Sequence, residues 1–224
     1  MTSMLRLFVI CCCILPFALP AQQVDLTPER FAFEEGLSYN SSIQSPAEFL
    51  GYELGERFTE YEKSVQYFKY LAEQSDRIAL NQYGETYERK PLINLVVSSA
   101  DNHARMEEIR ERHLRLLEPG FAKSAEGQQV INNDPVFTSF SYNIHGNEAS
   151  STEAAMQVAY RMAAATDQAT AEILANSVVI MYVCINPDGR DRYVYWINGA
   201  GRSEPGINPQ DLEHYAPWPN GRTN

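Results

Sequence analysis

The sequence predicts an α/β fold, a three-layer sandwich in which helices cover both faces of a mixed, largely parallel sheet. Two segments, residues 92–97 and 178–185, are almost continuously apolar and rich in β-branched residues, which is typical of interior strands. Residues 58–72 instead place apolar side chains every three or four positions, the pattern of an amphipathic helix. Helical and strand patterns that alternate along a chain favour this layered architecture.

Residues 1–21 are predicted to be a secretory signal peptide. Arg6 precedes an apolar run over residues 7–15, and Ala21 supplies a small residue for cleavage. The apolar run is too short for a stable membrane span. We therefore expect an exported protein, periplasmic or extracellular, with no membrane attachment after cleavage. Three of the four cysteines lie in this segment, which leaves Cys184 without a partner for an intrachain disulfide.

The charge balance excludes some classes of partner. The chain has 29 acidic and 18 basic residues and a formal net charge of −11. Neither nucleic acid nor an anionic membrane would attract such a protein. The length suits one domain, or most of one, and the oligomeric state stays open.

The first elements follow from local patterns. Residues 22–52 are polar and irregular, and we interpret them as a lead-in segment that precedes the main domain. After the helix at residues 58–72, residues 78–80 and 92–97 are predicted to form two strands joined through a connection that contains Gly84, in Tyr-Gly-Glu at residues 83–85.

The middle of the chain continues the alternation. Asp101 is expected to cap a charged helix that stops at Pro119. Residues 136–142 alternate as a strand does. Ser150 and Glu153 then have the spacing of a capping box at the start of another helix.

The last third contains one more helix and the most apolar strand. Asp167 is expected to cap a helix that ends at Asn176, before the strand at residues 178–185. Residues 190–224 are rich in Gly, Pro, Asn, Arg and aromatic residues, and they are predicted to form a long loop.

His145 and Glu148 lie between the predicted strand at residues 136–142 and the helix that follows it. Ligands bind at this edge of open α/β sheets, and Gly146 is expected to permit a sharp turn there. Imidazole nitrogen and carboxylate oxygen are both zinc ligands. The pattern therefore predicts a metal site, although His-x-x-Glu alone is also common on solvated surfaces.

A second polar motif, Asn-Pro-Asp-Gly at residues 186–189, closes the next long strand. These residue types form tight turns in many proteins, so alone the motif indicates only a turn. Two neighbouring strand ends that carry His-Gly-Asn-Glu and Asn-Pro-Asp-Gly are a more specific combination.

Together these motifs resemble the carboxypeptidase A-type zinc metallocarboxypeptidases. Residues 139–155 are similar to the first zinc-binding segment of that family, residues 186–189 to its next signature, and residues 83–92 to its early hairpin. The resemblance covers residues 53–224. It implies a zinc carboxypeptidase-like catalytic domain that is incomplete, truncated at its C-terminal end.

The resemblance also implies roles for particular residues. His145 and Glu148 would be the first two ligands of one Zn²⁺ ion. The third ligand histidine, an Asn-Arg pair that binds the substrate carboxylate and the general-base glutamate are expected beyond Asn224. Arg222, with Arg202 second, would stabilise the oxyanion, although a solvated loop charge is an equally good interpretation of either arginine.

The function that the resemblance implies is proteolysis, the hydrolysis of C-terminal peptide bonds in a peptide or protein substrate with a free C-terminus. This chain alone is expected to be inactive. One alternative is an aspartoacylase- or desuccinylase-like zinc amidohydrolase, whose members share His-Gly-Asn-Glu but carry a different residue after Asn-Pro. The other is a non-catalytic binding module of the same fold.

Overall fold

The structure is a computed structural model, and it describes residues 36–199. Secondary structure occupies most of this range. The helices are α1 (Pro46–Leu50), α2 (Tyr61–Gln74), α3 (Ala100–Ala104), α4 (Met106–Arg115), α5 (Ala125–Asn133), α6 (Ser150–Ala164), α7 (Gln168–Asn176) and α8 (Pro187–Gly199), with a 3₁₀ turn at Phe121–Lys123; the strands are β1 (Ile78–Glu85), β2 (Pro91–Val97), β3 (Val136–Ser141) and β4 (Ser177–Tyr182).

The described strands form one mixed sheet in the order β1-β2-β4-β3, which confirms the predicted α/β class. The β3–β4 pair is parallel, whereas β1–β2 and β2–β4 are antiparallel. The predicted parallel majority is therefore not found among these four strands. The reason lies in the connections, because a parallel pair needs a long crossover such as α6 and α7 provide, and β1 and β2 are joined by a short turn.

One face of the sheet carries the main hydrophobic core. Leu95 of β2 pairs with Met181 of β4, and both side chains are fully buried. Phe68 of α2 and Met156 of α6 belong to the same apolar cluster and are also fully buried. The helices predicted from apolar periodicity therefore cover this face.

A different helix contacts the opposite face. Phe137 of β3 pairs with Val178 of β4, and strand alternation turns both away from Met181. The ring of Phe137 meets the His113 ring of α4 edge-on, with 4.9 Å between centroids. Helices thus lie on both faces, as the three-layer prediction requires.

The core extends N-terminally of Glu53, where the domain was predicted to begin. Ile43 and Leu50 are both buried in the main cluster. Ser45 starts α1 with a complete capping box, in which its hydroxyl accepts from the Glu48 N–H and the Glu48 carboxylate accepts from the Ser45 N–H. Part of the predicted lead-in segment is therefore ordered and packed.

Gly84 does not form the connection between the first two strands. It lies inside β1, where the register with β2 shifts by one residue. The chain turns at residues 86–90 instead, closed by a 2.9 Å hydrogen bond from the Thr86 N–H to the Lys90 carbonyl. Arg89 adopts the left-handed conformation there, with φ +64°.

The single helix expected after Asp101 is two helices. Ser99, not Asp101, is the N-cap, since its hydroxyl accepts from the Asn102 N–H. The backbone then leaves helical geometry at Arg105 (φ −121°, ψ 21°), which separates α3 from α4.

One of the two later caps is confirmed. Asp167 accepts a 2.9 Å hydrogen bond from the Thr170 N–H at the start of α7, and bonds from the side chain and backbone of Thr170 lower the pKa of Asp167. The prediction of a capping box that starts at Ser150 is wrong. Ala149 occupies the N-cap position of α6 without a side-chain cap, and Glu153 is buried in an ion pair instead.

The prediction of a loop from residue 190 is wrong as far as Gly199. Residues 187–199 form α8, and the Asn186 carboxamide oxygen accepts from the Gly189 N–H within its first turn. Arg190 and Asp191 occupy its buried face next to Val194. A buried face made of charged residues has no apolar periodicity, so the pattern gave no helical signal. Residues 200–224 of the predicted loop lie outside the described residues.

The core makes a direct stability prediction at Leu71. This α2 side chain is fully buried, so Leu71→Ala should lower the free energy of unfolding by about 2–5 kcal/mol through lost burial and the remaining cavity. The matched control is Leu117→Ala, because Leu117 is 81% exposed and its change should fall within about 0.5 kcal/mol. Urea denaturation of the two variants measures the difference; equal losses would contradict the assigned core.

Candidate metal centre

The site is built where two parallel strands end side by side. Beyond β3 and β4 the pairing continues through three backbone hydrogen bonds, from Tyr142 to Tyr182, from Ile185 to Tyr142 and from Asn186 to Asn143. The two segments that follow, residues 143–149 and 186–190, therefore leave the sheet in contact with each other. This contact was not visible in the sequence.

Asn143 makes the turn out of β3. Its φ of +53° is left-handed, a conformation that asparagine tolerates better than most residues. The side chain is buried, and its Nδ2 donates to the His145 carbonyl at 2.6 Å. Its Oδ1 accepts from Thr152 and from Arg190, at 3.0 and 2.8 Å.

Gly146 allows close packing rather than a turn. Gly146 is absent from the left-handed glycines of the described chain. A Cβ placed on Gly146 would lie 2.3 Å from the carbonyl carbon and oxygen of Gly189, far inside van der Waals contact. The expectation that glycine serves a sharp turn here is thus corrected, because its role is to let two backbones touch.

His145 and Glu148 converge on the solvent side of this loop. Their side chains are 50% and 53% exposed, and His145 Nδ1 lies 2.9 Å from Glu148 Oε1. Glu148 Oε2 also accepts from the His145 N–H at 3.1 Å. These side-chain and backbone hydrogen bonds from His145 lower the pKa of Glu148 and so favour its ionised carboxylate.

This pair fits two positions of a zinc site. Imidazole nitrogen and ionised carboxylate are ligands that zinc takes, and both groups face solvent beside each other. Within residues 36–199, no group of three or more His, Cys, Asp or Glu side chains is placed to hold a metal. His145 and Glu148 therefore stay the two candidate donors that the sequence predicted within this range.

The other histidines in the described range belong to different surroundings. His103 Nε2 lies 3.1 Å from the carbonyl oxygen of Arg77. The ring of His113 packs edge-on against Phe137. Cys184 is buried, and burial raises the pKa of its thiol to about 11, which does not suit a nucleophile.

Four arginines lie in the segment predicted to be a loop, residues 190–224, and two of them are among the described residues. Arg190 is fully buried and paired with Glu153, and Arg192 is paired with Glu88 at the hairpin. The predicted oxyanion donors, Arg222 and Arg202, lie outside the described residues.

The buried polar residues behind the loop were not predicted from the sequence. Glu153 falls on the buried face of α6, four positions after Ala149 and three before Met156. A carboxylate at a core position of a helix needs a buried partner. That mismatch was the available signal, and it was interpreted as a helix cap.

Comparisons with known proteins give one family. The sequence profile of the zinc carboxypeptidases matches residues 64–220, well over half of the chain. No curated protein matches the chain significantly. Among solved structures, that of thrombin activatable fibrinolysis inhibitor (TAFI) aligns at 16% identity with a TM-score of 0.42, over 66% of this chain and 28% of that one. The chain thus spans less than a third of the length of TAFI.

The contact between the two loops can be tested by adding one methyl group. Gly146→Ala should lower the free energy of unfolding by about 1–3 kcal/mol, because the added Cβ would overlap the Gly189 backbone and force the two segments apart. Gly84→Ala is the control, since its Cβ would lie 3.7 Å from Leu92 Cδ1, an ordinary contact. Chemical denaturation compares them, and a Gly146→Ala protein as stable as wild type would refute the packing.

Proposed function

The chain belongs to the zinc carboxypeptidase family, and on that basis we propose that it serves as a zinc-dependent metallocarboxypeptidase that hydrolyses C-terminal peptide bonds. One observation carries the proposal. His145 and Glu148 place an imidazole nitrogen and a carboxylate oxygen 2.9 Å apart, facing solvent at the end of a parallel strand pair.

In this proposal the two side chains hold the ion from one loop. His145 contributes a ring nitrogen, and Glu148 contributes a carboxylate whose ionised form is favoured by its lowered pKa. Zinc, when bound, polarises a scissile carbonyl and lowers the pKa of a water molecule. A third protein ligand and a general-base glutamate, which the family resemblance implies, complete the proposed set.

The substrate is proposed to be a peptide or protein with a free C-terminus. Its developing oxyanion needs a preorganised positive charge, and we propose Arg222 for this role, with Arg202 as the second candidate. Arg190 and Arg192 are each paired with a carboxylate, Glu153 and Glu88 respectively. This favours one of the two later arginines of the same segment for the oxyanion role.

The aspartate in Asn-Pro-Asp-Gly favours the carboxypeptidase proposal over the amidohydrolase alternative. Asp188 Oδ1 accepts from the Thr86 hydroxyl at 2.7 Å, which ties the start of α8 to the β1–β2 turn. The third position of the motif thus has a structural role in this chain.

Export is part of the proposal. The predicted signal peptide, residues 1–21, lies outside the described residues. Within residues 36–199, no helix is long and apolar enough to cross a bilayer. We propose that the mature protein acts outside the cytoplasm.

The metal assignment predicts the result of two substitutions. His145→Ala and Glu148→Ala should each remove stoichiometric zinc and peptide hydrolysis together, because each deletes a ligand from a site that needs at least three. Metal content by mass spectrometry and release of C-terminal amino acids measure the two effects in the full-length protein. Glu111→Ala, which removes an exposed carboxylate on α4, is the control and should change neither.

Two outcomes would contradict the proposal. Full zinc content in both His145→Ala and Glu148→Ala would show that these residues are not zinc ligands. Zinc binding with turnover of N-acylated amino acids and none of peptides would favour the amidohydrolase alternative.

The oxyanion role predicts a specific kinetic change. Arg222→Ala should lower kcat by about 10²- to 10³-fold with a much smaller change in KM, because the lost donor acts on the transition state. Arg202→Ala is the comparison, and it should leave kcat near the wild-type value. Steady-state kinetics on a peptide substrate separate the two, and a reversed result would assign the role to Arg202.

A further inference from the structure

The guanidinium of Arg190 is fully buried and donates to four acceptors on four different residues. It donates to Asn143 Oδ1 at 2.8 Å and to the Ala149 carbonyl oxygen. It also donates to the Thr59 carbonyl oxygen at 2.7 Å and to Glu153 Oε1 at 2.6 Å. The first two acceptors lie on either side of the loop that carries His145 and Glu148.

The contact with Asn143 reaches the loop indirectly. An arginine side chain has donors and no acceptor, so the Asn143 amide must present its oxygen to Arg190. The Asn143 Nδ2 is thereby directed to the carbonyl oxygens of His145 and Gly146, at 2.6 and 3.5 Å. Arg190, together with the Thr152 hydroxyl, therefore orients an amide that binds the backbone of the first proposed metal ligand.

The contact with Ala149 is direct. Ala149 follows Glu148 in sequence and is itself fully buried. Its carbonyl is bound by the same guanidinium that orients Asn143. One rigid, planar group thus binds a residue on each side of the His145–Glu148 segment, Asn143 through its side chain and Ala149 through its carbonyl oxygen.

Glu153 compensates the charge of Arg190. Its carboxylate also accepts from the N–H and the hydroxyl of Thr59, at 2.7 and 2.8 Å. Replacing a buried ion pair by apolar residues is often neutral or stabilising. A gain in net stability is therefore a weak explanation for this pair. Its clearer effect is on geometry, because the guanidinium holds the four acceptors in fixed positions around it.

We propose that Arg190 is a positioning residue for metal binding, which holds the His145–Glu148 loop in its ligand-presenting conformation. This inference rests on the proposed function, since it takes the loop to be the zinc-binding segment. Arg190 itself contacts neither metal nor substrate.

The decisive variant is Arg190→Lys in the full-length protein. Lysine keeps the charge that Glu153 needs but lacks the planar fork that reaches several acceptors at once. We expect a folded protein whose zinc affinity, measured by competition with a chromophoric chelator, is lower by about 10- to 100-fold. The visible absorption of the Co²⁺-substituted protein should change as well, because it reports ligand geometry.

A second variant tests the indirect contact alone. Asn143→Gly removes the amide, and glycine adopts the φ of +53° without strain. It should weaken zinc binding in the same direction, and it keeps the proposal testable if Arg190→Lys does not fold.

The matched control is Asp191→Asn, on the next residue of α8. Asp191 pairs with Lys90 at 2.6 Å and accepts from the Tyr61 N–H, but none of its hydrogen bonds reaches the metal loop. Its loss should leave zinc affinity within about twofold of wild type, even if the thermal midpoint falls by a few degrees.

The outcomes separate the inference from the proposed function. Wild-type zinc affinity and a wild-type cobalt spectrum in folded Arg190→Lys would overturn the inference, as would an equal loss in Asp191→Asn. Absence of zinc binding in wild type, or its survival in His145→Ala, would overturn the proposed function itself.

Discussion

The buried ion pair between Arg190 and Glu153 connects segments that are distant in the chain. Arg190 comes from α8 and Glu153 from α6, and both bind Thr59, which precedes α2. A charge without its partner in this environment would cost several kcal/mol. Any conformation that displaces one of the segments therefore leaves a carboxylate or a guanidinium unpaired, and the pair couples their positions.

The loop behind the candidate metal centre has two kinds of residue at regular spacing. Asn143, Gly146 and Ala149 face inward and are buried, whereas His145 and Glu148 between them are exposed. The inward set packs on α8 and on Arg190, through hydrogen bonds and through a glycine contact that leaves no room for a side chain. The outward pair faces solvent, where a ligand can reach it. Support from a rigid scaffold is what a metal site needs to present its donors with constant geometry.

Local patterns predicted much of this molecule. The apolar runs of β2 and β4 and the periodicity of α2 identified the elements that form the core, because burial on a strand or helix face leaves a repeat in the sequence. The Asp167 cap was predictable for a similar reason, since its partner lies three residues away. His145 and Glu148 also lie within one turn of chain, so their spacing alone was enough to suggest that they meet.

The sequence by itself therefore determined the features that leave a repeat or a short spacing within one segment: the α/β class, the apolar strands and the pairing of His145 with Glu148. The tertiary structure alone decided the features whose partners are remote. Glu153 had the spacing of a cap but pairs with Arg190, 37 positions away. Helix α8 buries Arg190 and Asp191, whose charges are paired with Glu153 and Lys90 from other segments. Buried charges are placed by the partners that the fold brings to them, and that information is not present in the periodicity of any one segment.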